Sequence, residues 1–274
     1  MAKDLRIGIV GSGAIGSSLA KKIYSGFLKR ASLCALFDIN SAKSISLSRS
    51  LTRDKALAVA SLDELIQKSD LVIEASQAAC SWAIARRVLI KKRNIMIMSV
   101  GGIINRYSQL MDLAQRNGVK VYIPSGAIAG IDALKAANLG KIRSVTLTTY
   151  KNPKSFKGVG FVEKKGIKLL AIKQDRLLFS GSAKEAVKHF PQNINVAAIL
   201  SIAGIGDTKT RVRIVASPKA KRNIHEIKIV SESGSIFTRT ENVLHPDNPK
   251  TSYLAYLSAV AKLKDITEPV KVGT

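Results

Sequence analysis

The stretch "LRIGIVGSGAIGSSLAKKIYSG", residues 5–26, decides the fold. Its beginning is an apolar, strand-like run, and its small and apolar residues then take helical spacing. Between them, Gly11 permits a tight turn, Gly13 lets a pyrophosphate approach the backbone, and Gly16 lets helix and strand pack closely. A helix N-terminus also offers free N–H groups to an anion. The stretch therefore predicts a dinucleotide site, whose binding residues here are Gly11, Gly13, Ala14, Ile15 and Gly16.

The second expected feature of such a site is an acid at the end of the next strand. Residues 32–38, "SLCALFD", predict that strand, and Asp38 follows Gly16 by 22 residues. This is close to the spacing of the acid that hydrogen-bonds the adenosine ribose hydroxyls. Because a carboxylate repels a 2′-phosphate, Asp38 favours NAD over NADP. Lys43 lies nearby, so the sequence leaves NADP open as a second cofactor.

Strand-like and helical segments alternate as far as about residue 130, and the strand-like runs are continuously apolar. Further predicted strands are 70–76, 94–100 and 119–127, with helices at 61–69, 82–87 and 106–118. Ser61 and Glu64 suggest a capping box at the start of the first of these helices. Apolar strands alternating with helices are typical of a parallel sheet covered on both faces. The fold class predicted is α/β, with a Rossmann-type doubly wound parallel sheet.

The rhythm changes after residue 130. Predicted strands are 144–150, 210–216, 223–230 and 234–243, with helices at 182–190 and 195–204. This pattern predicts a second, mixed α+β domain. The expected domains are 1–130 for dinucleotide binding, 131–245 for catalysis and dimerisation, and a C-terminal helix within 246–274 that returns to the first domain.

The charge of the chain is strongly positive. Lys and Arg number 44 against 19 Asp and Glu, which gives a formal net charge of +25. Nucleic acid is the first partner that such a charge suggests, but the basic residues are spread along the chain without a zinc-finger or RNP motif. We therefore expect no specific nucleic-acid binding, and note that a positive field also steers anionic small molecules.

The composition also indicates where the protein is located and whether it binds a metal. No stretch approaches the roughly 18 uncharged apolar residues that cross a bilayer, so we expect no membrane partner. Asp4 and Arg6 lead straight into a strand instead of a signal-peptide apolar region, which favours the cytoplasm. Cys34 and Cys80 are too few and too far apart for a disulfide framework or a zinc site. No metal site is predicted.

One histidine stands in a strand-like run, "NIHEIKIV" at 223–230. Because strand side chains alternate, His225 shares a face with Ile227 and Ile229. Such a histidine is either a core imidazole satisfied by hydrogen bonds or a functional group. His189, on an amphipathic helix, and His245, before a proline, favour structural roles.

The chain closely resembles the L-aspartate dehydrogenases of de novo NAD biosynthesis. The segments that carry the resemblance are "GSGAIG", "VIEASQ", "PSGAIAGIDALKAA", "FSGSAKEAVKHFPQNINVAA", "RNIHEI" and "NPKTSYLA". The resemblance implies a homodimer formed by the second domain, a catalytic His225, and cofactor contacts from Ser76, Ala127 and Asn195. Considered by pattern alone, the loop at 124–137 could equally be a linker, Asn195 could cap a helix, and 248–252 could cap the last helix.

The chain departs from the family pattern at two places. Tyr150, Lys151, Asn152 and Pro153 stand where relatives have a basic residue and paired prolines, and Ser217 stands where they have an acid. The first departure places any substrate-binding role of that loop in question. Neither touches the glycine turn or His225.

The resemblance implies oxidation of L-aspartate to iminoaspartate, and then oxaloacetate plus ammonia, or the reverse reaction. Hydride passes between Cα and the nicotinamide, and His225, which ordinarily titrates near neutrality, would accept an amine proton or organise the hydrolytic water. The substrate carboxylates need cationic anchors, with Lys135 and Lys250 as candidates. Alternatives are an enzyme of the homoserine dehydrogenase or dihydrodipicolinate reductase type, or a nonenzymatic NAD-binding redox regulator.

Overall fold

The computed structural model describes residues 4–190, 194–246 and 248–273, without the side chains of residues 194 and 248–250. The chain forms two compact units. The first comprises the chain up to Pro124 together with Tyr256–Val272, and the second comprises Ser125–Ala255.

The first unit contains a sheet of five parallel strands in the order β2-β1-β3-β4-β5. The strands are β1 (Leu5–Val10), β2 (Ala31–Phe37), β3 (Leu71–Glu74), β4 (Asn94–Ile97) and β5 (Val121–Tyr122). The helices are α1 (Ala14–Tyr24), α2 (Ser41–Thr52), α3 (Leu62–Lys68), α4 (Ala78–Ile90) and α5 (Tyr107–Asn117). The predicted Rossmann-type parallel sheet is confirmed.

The first sheet has a strand position beyond β2 that the sequence pattern does not predict. Ala58 forms an isolated parallel bridge with Leu36. The Leu36 N–H donates to the Leu57 carbonyl at 2.7 Å, and the Val59 N–H donates back to the Leu36 carbonyl at 3.0 Å. If Ala58 is counted as the third strand along the chain, then β3, β4 and β5 become the fourth, fifth and sixth. The strands then lie in the order 3-2-1-4-5-6 that is typical of dinucleotide-binding sheets.

Both faces of the first sheet are covered, which explains why its strands are apolar along their whole length. Ile7, Ile9 and Ile73 are fully buried and belong to one core cluster. Helix α10 (Tyr253–Thr267) contributes Tyr256, Ala259, Val260 and Leu263 to the same cluster. The helix therefore completes the core of the first unit.

The second unit contains a mixed sheet in the order β10-β9-β6-β8-β7. The strands are β6 (Ile142–Lys151), β7 (Arg176–Ser182), β8 (Arg211–Ala216), β9 (Asn223–Ser231) and β10 (Gly234–Asn242), and a small pair is formed by β11 (Leu244–His245) and β12 (Asn248–Ser252). The helices are α6 (Ile131–Ala137), α7 (Gly160–Lys164), α8 (Ala183–His189) and α9 (Ile194–Ala203). Only β6 and β8 pair in parallel in the five-stranded sheet. The predicted mixed α+β domain is confirmed.

Alternation along the strands separates this sheet into two faces. One carries Leu147, Val212, Ile227 and Ile229, all buried, and His225 lies among them. We call it the histidine face. The prediction that His225 shares a face with Ile227 and Ile229 is confirmed.

Several predicted boundaries change. The strand predicted at 119–127 is reduced to Val121–Tyr122, because Pro124 has no N–H to pair and Gly126 adopts a left-handed φ of 70°. The Ser61 hydroxyl does cap α3, but the Glu64 carboxylate accepts from the Ala60 N–H, one residue earlier than in a capping box.

One predicted cap is wrong, because Asn195 lies inside α9 and is not its N-cap. Residues 248–252 form β12, which ends directly before α10. The Ser252 hydroxyl donates to the Asn242 side-chain carbonyl at 2.6 Å. Among the helices described, none is both long enough and apolar enough to span a bilayer.

Candidate active site

The glycine turn between β1 and α1 has the geometry that a dinucleotide needs. Gly11 has a φ of 99°, and a Cβ there would lie 2.5 Å from the Ala75 carbonyl oxygen. A Cβ on Gly16 would lie 1.8 Å from the Gly11 oxygen, whereas a Cβ on Gly13 meets nothing within 4 Å. Gly11 and Gly16 are therefore required by the fold itself. Gly13, the N-cap of α1, leaves open space at the helix N-terminus.

The neighbours of these glycines are placed as expected. Ala14 and Ile15 form the first turn of α1, and Asp38 directly follows β2. The Asp38 carboxylate accepts from the Ser12 N–H at 2.7 Å and from the Asn40 N–H at 2.9 Å. The acid thus ties the end of β2 to the glycine turn.

A buried acid that was not among the predicted site residues lies at the end of β3. Glu74 is fully buried. Its carboxylate accepts from the Ser76 N–H and hydroxyl at 2.8 and 2.6 Å, from the Ser81 hydroxyl at 3.0 Å, and from the Ser99 N–H at 3.1 Å. The Ser99 hydroxyl also donates to the Ser76 carbonyl at 2.7 Å. Glu74 therefore fixes the loops after β3 and β4, at the carboxyl edge where ligands bind in such sheets.

In the second unit, His225 is 7% exposed and lies between two threonines on neighbouring strands. Thr149 on β6 and Thr240 on β10 are its direct strand partners. The Thr149 hydroxyl oxygen lies 3.0 Å from His225 Nδ1. This hydrogen bond fixes the ring and leaves Nε2 as the nitrogen for other partners.

The predicted cofactor loop at Ala127 is bound to the strand beside His225. The Ala127 carbonyl accepts from the Thr240 hydroxyl and from the Asn242 amide, both at 3.1 Å. A Cβ on Gly126 would lie 3.1 Å from Ile199 of α9, the helix that presents the exposed Asn195 in its first turn. The second unit therefore attaches Ala127 to β10, the strand next to that of His225, and packs the same loop on the helix of Asn195.

The electrostatics of His225 differ from the expectation. Burial, together with the positive charge of Lys151, lowers the pKa of His225 to about 3. Burial also lowers the pKa of Lys151 to about 8. His225 is therefore a neutral imidazole at neutral pH, because a charged ring would be desolvated beside a cation.

A pH dependence of stability follows. The pKa of His225 is about 3 in the folded chain and near 6.5 in the unfolded chain, so below pH 6.5 the unfolded chain binds a proton that the folded chain does not. We expect His225 to lower the free energy of unfolding by about 2 kcal/mol at pH 5 relative to pH 8. Urea titrations of wild type and His225→Asn at both pH values check this. Equal pH dependence of the two proteins would contradict the lowered pKa.

The other two histidines pack against aromatic rings, as expected for structural roles. The His189 ring lies 4.8 Å from that of Phe161, and the His245 ring lies 5.4 Å from that of Tyr253. Cys34 and Cys80 are free thiols. Within the described ranges, no three His, Cys, Asp or Glu side chains come together as a metal site.

Comparison with known proteins decides the family. Residues 132–266 match the family model "Aspartate dehydrogenase, C-terminal", and residues 11–124 match "Homoserine dehydrogenase, NAD binding domain". L-aspartate dehydrogenase of Methanococcoides burtonii is 45% identical over 98% of this chain and all of the relative. The chain belongs to the L-aspartate dehydrogenase family. L-aspartate dehydrogenase of Methanocaldococcus jannaschii is 42% identical over the same shares.

Solved structures agree on the fold. Aspartate dehydrogenase from Thermotoga maritima superposes with a TM-score of 0.73 at 23% identity, covering 98% of this chain and 99% of that one. A homoserine dehydrogenase from Thiobacillus denitrificans gives a TM-score of 0.63 at 14% identity, covering 97% and 73%. The two-unit dehydrogenase fold is thus shared beyond the L-aspartate dehydrogenase family.

Two of the residues at which the chain departs from the L-aspartate dehydrogenase pattern line one cavity. Tyr150 and Ser217 both line a cavity of about 600 Å³ in the second unit. Tyr150 lies on the face opposite the histidine face, where its hydroxyl donates to Glu226 at 3.0 Å. Of the proposed anchors, Lys135 is exposed on α6, and the side chain of Lys250 lies outside the described residues. Tyr150 therefore does not line the site of His225.

Proposed function

We propose that this chain catalyses NAD(P)-dependent oxidation of L-aspartate to iminoaspartate, which hydrolyses to oxaloacetate and ammonia, and the reverse reductive amination. The role in metabolism would be de novo NAD biosynthesis. The observation that carries the proposal is identity of 40–45% along nearly the whole chain to proteins named L-aspartate dehydrogenase. The buried, hydrogen-bonded His225 supplies a fitting polar group.

The residues of the first unit fit a nicotinamide dinucleotide, with NAD preferred. The open space at Gly13 would admit the pyrophosphate, and the first N–H groups of α1 would bind it. Asp38, beside the turn, would accept from the adenosine ribose and disfavour a 2′-phosphate. Gly11 and Gly16 shape the turn, and Ala14 and Ile15 begin the helix.

Three further positions are proposed to contact the cofactor. Ser76, held by Glu74, lies at the carboxyl edge of the first sheet. Ala127 and Asn195 are proposed to contact it near the nicotinamide, because they occupy family motifs and share one packed loop and helix. The nicotinamide supplies the hydride acceptor for the reaction.

His225 is proposed to act as a neutral hydrogen-bonding group. In the tautomer in which Nδ1–H donates to the Thr149 hydroxyl, Nε2 carries the lone pair. That lone pair can accept a hydrogen bond from the substrate amine or orient the water that attacks the imine. Between the two roles considered from the sequence, the pKa of about 3 favours organisation of the water over storage of a full proton.

A substrate scan at 340 nm tests the proposal. We expect NAD reduction with L-aspartate, and NADH oxidation with oxaloacetate plus ammonia, with slower rates for other amino acids and homoserine. Faster turnover of homoserine or a dihydrodipicolinate-type substrate would assign the chain to another reaction. NAD binding with no turnover of any substrate would favour the redox regulator.

Assembly, location and domain roles stay predictions. We propose that residues 1–130 bind the cofactor, that 131–245 carry His225 and form a homodimer, and that residues 246–274 return to the first domain. Light scattering that gives twice the chain mass of 29.5 kDa would support the dimer, and a monomer would contradict it. A cytoplasmic location is proposed from the sequence alone.

A further inference from the structure

A lysine occupies the histidine face next to His225. Lys151 and Thr149 are two residues apart on β6, so their side chains leave the same face of the sheet. Thr149 is the direct strand partner of His225, which makes Lys151 a diagonal neighbour of the histidine. Long side chains reach across such diagonals. The ammonium of Lys151 therefore lies within the electrostatic reach of the imidazole, and it acts on the pKa of His225.

The surroundings of Lys151 are apolar on the side of β8. Its partner there is Ala216, which is fully buried, and Ile214 on the same face is buried as well. The backbone is held because the Ser217 N–H donates to the Lys151 carbonyl at 2.8 Å. Lys151 itself is partly buried, and burial lowers the pKa of its ammonium group to about 8. A desolvated cation gains most from an anionic partner.

Two other described cations are placed less favourably. Arg239 lies on the opposite face of the sheet, and Lys135 is exposed on α6. Among the described side chains, Lys151 is a cation that the register of β6 and β9 places diagonally beside His225 on the histidine face.

We propose that Lys151 binds a carboxylate of the substrate and so selects for acidic amino acids. This inference rests on the proposed function and names a specificity-determining residue of the same site. The carboxylate would accept a charge-assisted hydrogen bond from the ammonium, and in a partly buried setting such a bond is strong. Because His225 is neutral, the Lys151 ammonium would not repel it. His225 would then act on the amine of the substrate.

The test uses the full chain saturated with NAD, and succinate as a dicarboxylate that cannot react. In Lys151→Met, calorimetry should show succinate bound about 10- to 100-fold more weakly, the range expected for a hydrogen bond to a charged group. The KM for L-aspartate should rise in parallel, with NAD affinity unchanged. Lys154→Met is the matched control, since Lys154 is an exposed lysine in the same segment, and should stay within about twofold of wild type.

The outcomes separate the two proposals. Wild-type turnover of L-aspartate with unchanged succinate affinity in Lys151→Met would overturn the role of Lys151 alone. No turnover and no succinate binding in wild type would overturn the proposed function. Lys151→Arg, which keeps the charge, should recover part of the affinity; equal loss in both Lys151 variants with normal unfolding midpoints would also contradict a carboxylate anchor.

Discussion

Replacing His225 with asparagine should lower the turnover of L-aspartate about 100-fold or more, the usual scale for loss of a positioned proton-handling group. Asparagine keeps a polar atom that can reach the Thr149 hydroxyl, so the buried face should remain satisfied. NAD binding should be unchanged, because His225 is not among the residues proposed to contact the cofactor and the glycine turn lies in the first unit. Turnover is measured at 340 nm, and NAD affinity by calorimetry.

Two results would contradict this role. Near-normal turnover would remove His225 from the mechanism. A lower unfolding midpoint with equal losses of NAD affinity and turnover would make the imidazole a structural core group. Thr149→Val provides a graded comparison, because it removes only the partner of Nδ1 and should lower kcat less than His225→Asn does.

Replacing glycines of the first turn should separate cofactor binding from folding. A Cβ on Gly13 meets no atom within 4 Å, so Gly13→Ala should fold, at a cost of no more than about 1 kcal/mol for alanine at an N-cap. The same methyl group would occupy the space proposed for the pyrophosphate. We expect NAD to bind about 10- to 100-fold more weakly, which corresponds to a clash of about 1–3 kcal/mol.

Gly16→Ala is the contrasting variant. Its Cβ would lie 1.8 Å from the Gly11 backbone oxygen, so the strand and helix must move apart. We expect a loss of about 1–3 kcal/mol or more in the free energy of unfolding. Calorimetric titration with NAD and thermal unfolding of both variants check the pair. Unchanged NAD affinity in a folded Gly13→Ala protein would contradict the proposed position of the pyrophosphate.

The fold could be predicted because its signals are local. The glycines at 11, 13 and 16 set a turn by their own geometry, and the strands of a covered parallel sheet are apolar along their whole length. The bridge at Ala58 was missed because a single paired residue leaves no periodic pattern. Glu74 could have been noticed as an acid inside the run "LVIEAS", but its four donors come from three separate segments.

The chemistry of the site could not be predicted from local signals, because it depends on how distant strands pair. His225 was visible as a histidine on an apolar strand face. Its neutral state was not, because that state results from burial and from Lys151, a residue 74 positions earlier that only the pairing of β6 with β9 brings near. The same pairing turns Lys151 from one of 44 basic residues into a specific candidate.

We expect this chain to move hydride from Cα of L-aspartate to NAD. The decisive experiment is incubation of the full chain with NAD and L-aspartate deuterated at Cα, followed by mass spectrometry of the cofactor. One deuterium should appear in each reduced cofactor, with one ammonia released for each. A bound cofactor that stays oxidised, or a reduced cofactor without deuterium, would contradict it.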